Sequence, residues 1–276
     1  MPCSAELFLN LIMQCRVHDI VPALQPLISG IWSMETDQPV KDQFPIRILP
    51  NTLVEMIIHF REPHQSRIAE NTNAFKDRSF MLSQLDRYMH MQPGKEMGFI
   101  SVFFTPQGVA HFFGPAIREL NNGITGLQLI WKIAAEIEER ILGAINSNQR
   151  ADLLQQYLLK RKPQIEDSDI AVEYCIKQIE EAKGQIRIES LADKTGISKR
   201  QLLRRFDLYT GISPKTLARK IKFMNAVEEL KKHPMESLTS IAYETGYYDQ
   251  AHFIHDFREY AGLTPGQYLK EADQIL

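Results

Sequence analysis

The sequence predicts an α+β protein with a β-rich N-terminal part and an all-α C-terminal part. Short apolar runs bounded by turn signals, such as residues 53–60 and 99–104, are typical of buried strands. The last hundred residues contain a tandem repeat of helix-turn-helix type, and basic charge is concentrated there. These features indicate two domains of different architecture.

The composition is that of a soluble globular protein with room for two domains: 276 residues, 44% hydrophobic, 24% charged and a net charge of −2. No apolar run approaches the roughly 18 residues that a membrane span needs, and we expect no membrane association. The N-terminus lacks a signal-peptide layout. Cys3, Cys15 and Cys175 fit neither a disulfide framework nor a metal site. We therefore expect a cytoplasmic protein.

We expect an N-terminal domain over residues 1–161, a linker over 162–168 and a C-terminal domain over 169–276. The N-terminal domain would have a β-rich core followed by helices over about 126–161. One stripe of apolar residues, spaced three or four apart, predicts a helix over 126–146: Leu127, Ile130, Ala134, Ile137, Ile141 and Ile145. This stripe either pairs with a second copy to form a homodimer or packs on the β-rich core.

The charge distribution separates two parts of the C-terminal domain. Residues 194–232 hold eleven basic and three acidic residues, a net charge of +8, whereas residues 233–276 hold two basic and seven acidic residues. A local basic block in an acidic protein suggests a nucleic-acid partner, although a solvated helix surface would have the same composition.

The repeat supports the nucleic-acid interpretation. The alanine and the first glycine of the first copy recur 50 residues later. Its apolar positions, its second glycine and its proline recur 51 residues later. In chain order the first copy has Ala192, Gly196, Leu202, Phe206, Gly211, Ile212 and Pro214, and the second has Ala242, Gly246, Phe253, Phe257, Gly262, Leu263 and Pro265. Ser198 and Asp249 would cap the second helix of each copy. The recognition helices of the two units would span about 198–209 and 249–260.

This pattern resembles the DNA-binding domain of the AraC/XylS family of bacterial transcription regulators. The bridging helix SPKTLARKIKFMNAVEELKK (213–232) and the closing GLTPGQYL (262–269) carry the resemblance together with the repeats. It implies seven helices, sequence-specific binding of double-stranded DNA in successive major-groove segments, and a contact with RNA polymerase.

The N-terminal part resembles more weakly the sensor segment of one branch of this family, through residues 22–32, 50–60 and 103–114. That resemblance implies a cupin-like β-barrel followed by helices, with a small-molecule effector in the N-terminal domain. Aromatic residues in such strands either line a pocket or fill a core.

The expected DNA contacts lie opposite the buried stripe of each recognition helix. Arginine pairs with guanine and glutamine with adenine in the major groove, and an apolar side chain can contact a thymine methyl. For Leu203, the alternative to contact with a thymine methyl is packing against another helix. We predict base contacts from Lys199, Arg200, Leu203, Arg204, Gln250, Ala251, Ile254 and His255. His255 stands where the family usually has an arginine, so we expect the second unit to contribute less.

Phosphate contacts are predicted for Arg205, Lys215, Arg219, Lys220 and Lys222, although Arg205 could instead face the bridging helix. No sequence pattern indicates an enzyme, and we expect no catalytic residue, cofactor or metal. DNA-repair proteins with this domain need four clustered cysteines, which three scattered ones cannot supply. The alternative function is a small-molecule sensor or protein-interaction scaffold in which DNA binding is secondary.

Overall fold

The computed structural model describes residues 13–36, 45–70, 74–114, 120, 122–161 and 169–273. The strands of the N-terminal part, in chain order, are β1 Met13–His18, β2 Ile28–Thr36, β3 Ile46–Ile48, β4 Val54–His59, β5 Gln65–Ile68, β6 Ser79–Leu82, β7 Met89–Gln92, β8 Gly98–Phe104 and β9 Ile124–Gly126. They form an antiparallel six-stranded sheet of order β1-β2-β8-β4-β6-β9 and a three-stranded sheet of order β3-β7-β5.

Because side chains point alternately to the two faces of a strand, the larger sheet buries apolar residues on both faces. One face packs against helices and the other against the smaller sheet. On β4, Val54, Met56 and Ile58 join an apolar cluster that also contains residues of the following helices. Ile57 points the other way, into an inner cluster shared by the two sheets. The inner cluster consists of Trp32, Met34, Ile57, Phe80, Leu82, Leu85, Met89, Met91, Met97, Phe99 and Phe103. The predicted β-rich, cupin-like N-terminal domain is confirmed at the level of fold class.

Among the described residues, four helices cover the outer face of the larger sheet: α1 Pro106–Phe113, α2 Leu127–Ile130, α3 Ala134–Gly143 and α4 Ser147–Lys160. The single helix predicted over 126–146 is therefore divided between α2 and α3. Leu127, Ala134, Ile137 and Ile141 are completely buried against the sheet, while Ile145 is 85% exposed. Of the two alternatives for this stripe, the structure bears out packing on the β-rich core, because the buried residues of the stripe belong to that core; homodimerisation stays a prediction.

Residues 169–273 contain seven helices, the number that the family resemblance implies: α5 Ile170–Glu181, α6 Ile188–Thr195, α7 Lys199–Thr210, α8 Pro214–Lys232, α9 Leu238–Glu244, α10 Gln250–Ala261 and α11 Pro265–Asp273. Helices α6 and α7 form the first helix-turn-helix unit, and α9 and α10 form the second. Each unit has its own apolar core, and α8 contributes to both.

The N-terminal part contacts both units. Ala110 of α1 joins the core of the first unit, and Leu49 joins the core of the second. The predicted linker, 162–168, lies outside the described residues, so the exact domain boundaries remain a prediction. Among the described residues, no helix is both long enough and apolar enough to cross a membrane.

Candidate nucleic-acid interface

Helix α7 is held by local signals at both ends. Ser198 forms a capping box with Gln201, in which each side chain bonds the backbone N–H at the other position. Gly211 ends the helix in the left-handed conformation with φ 78°, which glycine adopts without a steric penalty. Leu202 and Phe206 are fully buried in the core of the first unit. The predicted inward stripe is therefore confirmed, and the opposite face of α7 is open to solvent.

That open face presents the predicted base-contact residues of the first unit. Arg200 and Arg204 are exposed one turn apart, and neither makes an ion pair with any described residue. Leu203 between them keeps 37% of its surface exposed. Lys199 differs, because its Nζ lies 2.6 Å from Glu189 Oε1 at the start of α6. Two free guanidinium groups and an exposed leucine are a chemically suitable surface for a major groove.

Helix α10 is capped and packed like α7, but its exposed face offers fewer groups that could bind DNA. The Asp249 side chain accepts from the His252 N–H at 2.7 Å, which confirms the predicted cap, and Phe253 and Phe257 are buried. Of the predicted base contacts, Ala251 and His255 are exposed and Ile254 is half-buried. Gln250 Oε1 already accepts a hydrogen bond from Thr239 Oγ1 at 2.8 Å. A base would have to compete for that amide oxygen.

Acidic groups surround His255. Its Nδ1 lies 3.7 Å from Asp256 Oδ1 and 4.0 Å from Glu259 Oε2. These three residues could bring ligand atoms within 4.8 Å of one another, as a metal site requires. However, the Arg219 guanidinium already bonds both carboxylates, so we assign no metal there. The same carboxylates weaken the attraction of this face for phosphate.

Two predicted phosphate contacts are instead structural ion pairs. Arg205 donates from Nε and Nη2 to the two oxygens of Asp169, each at 2.6 Å, and so ties α7 to the start of α5. The alternative, in which Arg205 lies toward the bridging helix, is not what the structure shows either, because its partner belongs to the start of α5. Arg219 of α8 bonds Asp256 at 2.7 Å and Glu259 at 2.5 Å on α10. Their predicted phosphate roles are corrected, because each guanidinium is committed to carboxylates of the same domain.

Of the other three predicted phosphate contacts, Lys220 is buried, Lys222 is half-buried and Lys215 is exposed. Lys220 is completely buried, and its Nζ lies 3.0 Å from Asp86 Oδ1 of the N-terminal domain. It cannot reach a phosphate in this structure. Lys222 is half-buried over the Tyr247 ring, 4.1 Å from its centroid, and burial lowers the pKa of its ammonium group. Lys215 is exposed near the start of α8 and remains a predicted phosphate contact.

Sequence reasoning missed two exposed aromatic residues in the second unit. Tyr248 is 85% exposed directly before the Asp249 cap, and Tyr243 on α9 is 62% exposed. Large aromatic side chains at the turn of a helix-turn-helix unit are candidates for contact with the DNA backbone. The sequence does mark Tyr248 as unusual, because it stands in the loop where the second copy of the repeat has one residue more than the first.

Two tandem helix-turn-helix units joined by a helix define the class of the C-terminal domain. Residues 191–271 match the family described as Helix-turn-helix domain, and residues 21–125 match the family Domain of unknown function (DUF6597). The C-terminal domain belongs to the AraC/XylS type of helix-turn-helix domains, as the repeat predicts.

The chain is similar to named transcription regulators over that domain. It is 31% identical to the HTH-type transcriptional regulator MtrA of Neisseria gonorrhoeae over 98 residues, which cover 36% of this chain and 32% of MtrA. It is 34% identical to the HTH-type transcriptional activator RhaS of Citrobacter koseri over 88 residues, covering 32% and 31%. The matches thus span about a third of these relatives.

Among solved structures, ToxT from Vibrio cholerae aligns with 94% of this chain and 98% of its own, at 12% identity and a TM-score of 0.46.

Proposed function

We propose that this chain is a bacterial transcription regulator that binds DNA sequence-specifically through α7 and α10. The observation that carries the proposal is the exposed face of α7. Arg200 and Arg204 lie there without an ion-pair partner among the described residues, whereas Arg205, Arg219 and Lys220 are committed to internal carboxylates. Guanidinium groups on the open face of a recognition helix suit bidentate contacts to guanine.

The test is selection of duplexes from a random pool by the full-length chain, followed by affinity measurement. We expect a preferred site that the chain binds at least about a thousandfold more tightly than a scrambled duplex of equal length at physiological salt. Arg204→Ala should lose this preference in part, and Arg140→Ala, which removes an exposed arginine of α3, should keep it. Equal binding of selected and scrambled duplexes would refute the proposal.

A second candidate function, sensing of a small molecule, is favoured by polar groups buried between the two sheets. Ser101 Oγ donates to Glu55 Oε1, and His59 Nε2 lies 2.8 Å from His64 Nδ1. His64 Nε2 and Ser66 Oγ are buried without a hydrogen-bond partner among the described residues. Because an unpaired buried polar atom is costly, a compact ligand with hydroxyl groups would stabilise this interior.

Thermal unfolding of the full-length chain with a panel of small neutral alcohols and polyols tests the sensor function. We expect one or more members to raise the melting temperature of the wild type. The same members should have no effect on His64→Phe, which removes the unpaired nitrogen. No shift with any member, or an equal shift in the variant, would argue against an effector at this place.

Other partners follow from the resemblance alone. The expected contact with RNA polymerase stays a prediction, as does action in the bacterial cytoplasm. Self-association also stays a prediction.

A further inference from the structure

Two adjacent arginines of helix α7 have different surroundings. Arg204 is exposed on the open face and makes no ion pair with any described residue. Arg205 lies on the flank of the helix and is half-buried. It donates from Nε and Nη2 to the two oxygens of Asp169, each at 2.6 Å. The side chain predicted to read DNA is therefore next in the chain to the side chain that fastens α7 to the start of α5.

A second bond repeats this link one turn further along both helices. Tyr209 is 3% exposed, and its Oη donates to Glu173 Oε1 at 2.5 Å. Residues four apart lie on the same side of a helix, so Arg205 and Tyr209 share one side of α7. In the same way, their partners Asp169 and Glu173 share one side at the start of α5. These four residues form a clamp between α5 and α7.

Asp169 is held in place by its own role in α5. It caps the helix, because its carboxylate accepts from the Val172 N–H at 3.1 Å. Partial burial raises the pKa of this carboxyl group, but hydrogen bonds from Arg205 and from backbone N–H groups outweigh burial, and the pKa is lowered. Asp169 is therefore ionised at neutral pH, and its contact with Arg205 is a charge-assisted bidentate pair.

The predicted reading residues lie in the part of α7 that has the fewest buried side chains. Between 199 and 204, Leu202 is the one buried residue, and Phe206 follows in the next turn. Lys199 pairs with Glu189, but both side chains are more than half exposed, and such a pair contributes little. A single apolar contact does not fix the rotation of a helix about its axis. The bidentate pair directly after this segment is directional and does fix it.

We propose that Asp169 and Glu173 are positioning residues for DNA recognition. They set the rotation of α7 and so direct Arg204 at a base edge. This inference rests on the proposed DNA-binding function. A bidentate contact between arginine and guanine needs both hydrogen bonds at once, and consecutive residues are about 100° apart around a helix. Rotation of α7 by a fraction of that angle would move the Arg204 guanidinium out of the plane of its base.

Positioning by Asp169 and simple electrostatics predict effects of opposite sign. When only charge matters, removal of a carboxylate from a DNA-binding domain raises affinity for any DNA, and it would also free Arg205 to contact a phosphate. When Asp169 positions α7, the same removal lowers affinity for the selected duplex. It does not lower affinity for scrambled DNA, because phosphate contacts carry no sequence information.

The test measures the affinity of full-length wild type and Asp169→Ser for the duplex selected from a random pool and for a scrambled duplex, at one salt concentration. Serine keeps the cap of α5 but is too short to hold Arg205. We expect Asp169→Ser to bind the selected duplex about tenfold more weakly, and the scrambled duplex no more weakly than wild type does. Asp193→Ser, which removes an exposed carboxylate from α6 of the same unit, should not weaken binding to the selected duplex.

Two further measurements distinguish positioning from a folding defect. In an Arg204→Ala background, Asp169→Ser should change affinity for the selected duplex less than about twofold, because Asp169 acts through Arg204. Tyr209→Phe keeps the aromatic ring and removes only the bond to Glu173. It should weaken binding to the selected duplex by a smaller factor than Asp169→Ser.

Equal losses on both duplexes would assign Asp169 to stability alone, and no loss or a gain on the selected duplex would favour a phosphate contact by Arg205. Either result overturns the positioning role, as does a full loss in the Arg204→Ala background. Unchanged binding by Tyr209→Phe would overturn the role of Glu173. Absence of any preference for the selected duplex in wild type would instead refute the DNA-binding function itself.

Discussion

Arg219 joins the bridging helix to the second recognition helix. Its guanidinium bonds Asp256, which is 1% exposed, and Glu259, and it lies over the Tyr260 ring with Cζ 5.1 Å from the centroid. Removing one partner of such a pair leaves a buried carboxylate without a counter-charge, which is the costly case for an ion pair. Arg219 thus orients α10, although it is a basic residue in a basic block.

Substitution of Arg219 separates this role from a contact with phosphate. Arg219→Met should lower the free energy of unfolding by roughly 2–4 kcal/mol, below a fully buried pair because the arginine is partly exposed. Lys215→Met, on the same helix but exposed, should leave unfolding unchanged and weaken DNA binding in a salt-dependent way. Urea unfolding of both variants is the measurement. Unchanged stability of Arg219→Met would contradict the structural role.

Glu55 gives the N-terminal domain a pH dependence. Burial raises the pKa of its carboxyl group from the usual 4.5 to about 7. Since the folded pKa is the higher one, the contribution of the neutral carboxyl is fully present below pH 4.5 and is lost as pH rises to 7. Glu55→Gln should therefore be more stable than wild type at pH 8, by roughly 3 kcal/mol, and nearly equal to it at pH 4.5.

Urea unfolding of Glu55→Gln and wild type at both pH values checks this expectation. The difference between the two proteins cancels the contributions of other titrating groups, including His59, whose pKa is lowered to about 4 by burial. A constant difference across this range would show that Glu55 is not the source of the pH dependence.

At the scale of elements, local signals were sufficient to place helix ends. Ser198, Asp249, Gly211 and Gly262 act within one turn of chain, so their roles follow from residue type and spacing. The stripe of α2 and α3 illustrates the limit of such reasoning. Periodicity identified the buried face correctly, but a stripe does not specify which surface covers it. The larger sheet covers its buried residues here.

Two isoleucines of the predicted stripe test this assignment. Ile141→Ala should lower the free energy of unfolding by about 2–5 kcal/mol, because Ile141 is completely buried. Ile145→Ala is the matched control and should have little effect, since Ile145 is 85% exposed. Neither change should alter the sedimentation coefficient. Dissociation of an oligomer in Ile141→Ala would support the dimer interpretation.

At the scale of the whole molecule, the sequence predicted the two fold types and the order of the helices, but not the pairing of charges. Lys220 and Asp86 are far apart in the chain, and no local pattern reveals that they meet. Net charge therefore overstated the surface available to DNA, because Arg205, Arg219 and Lys220 are neutralised internally. The predicted inequality of the two recognition helices does not depend on those residues. It depends on His255, which stands where the family usually has an arginine, and on Arg200 and Arg204 of the first helix, which remain exposed.

The most direct test is the affinity of the full-length chain for one selected duplex at one fixed salt concentration. Arg204→Ala should lose about 1–3 kcal/mol of binding free energy and relax one base position. Gln250→Ala should lose less, because its amide oxygen is already bonded to Thr239 and its helix faces the N-terminal domain. Arg140→Ala should bind as wild type. Equal losses for Arg204→Ala and Gln250→Ala, or a larger loss for Gln250→Ala, would contradict the assignment of α7 as the principal reader of DNA.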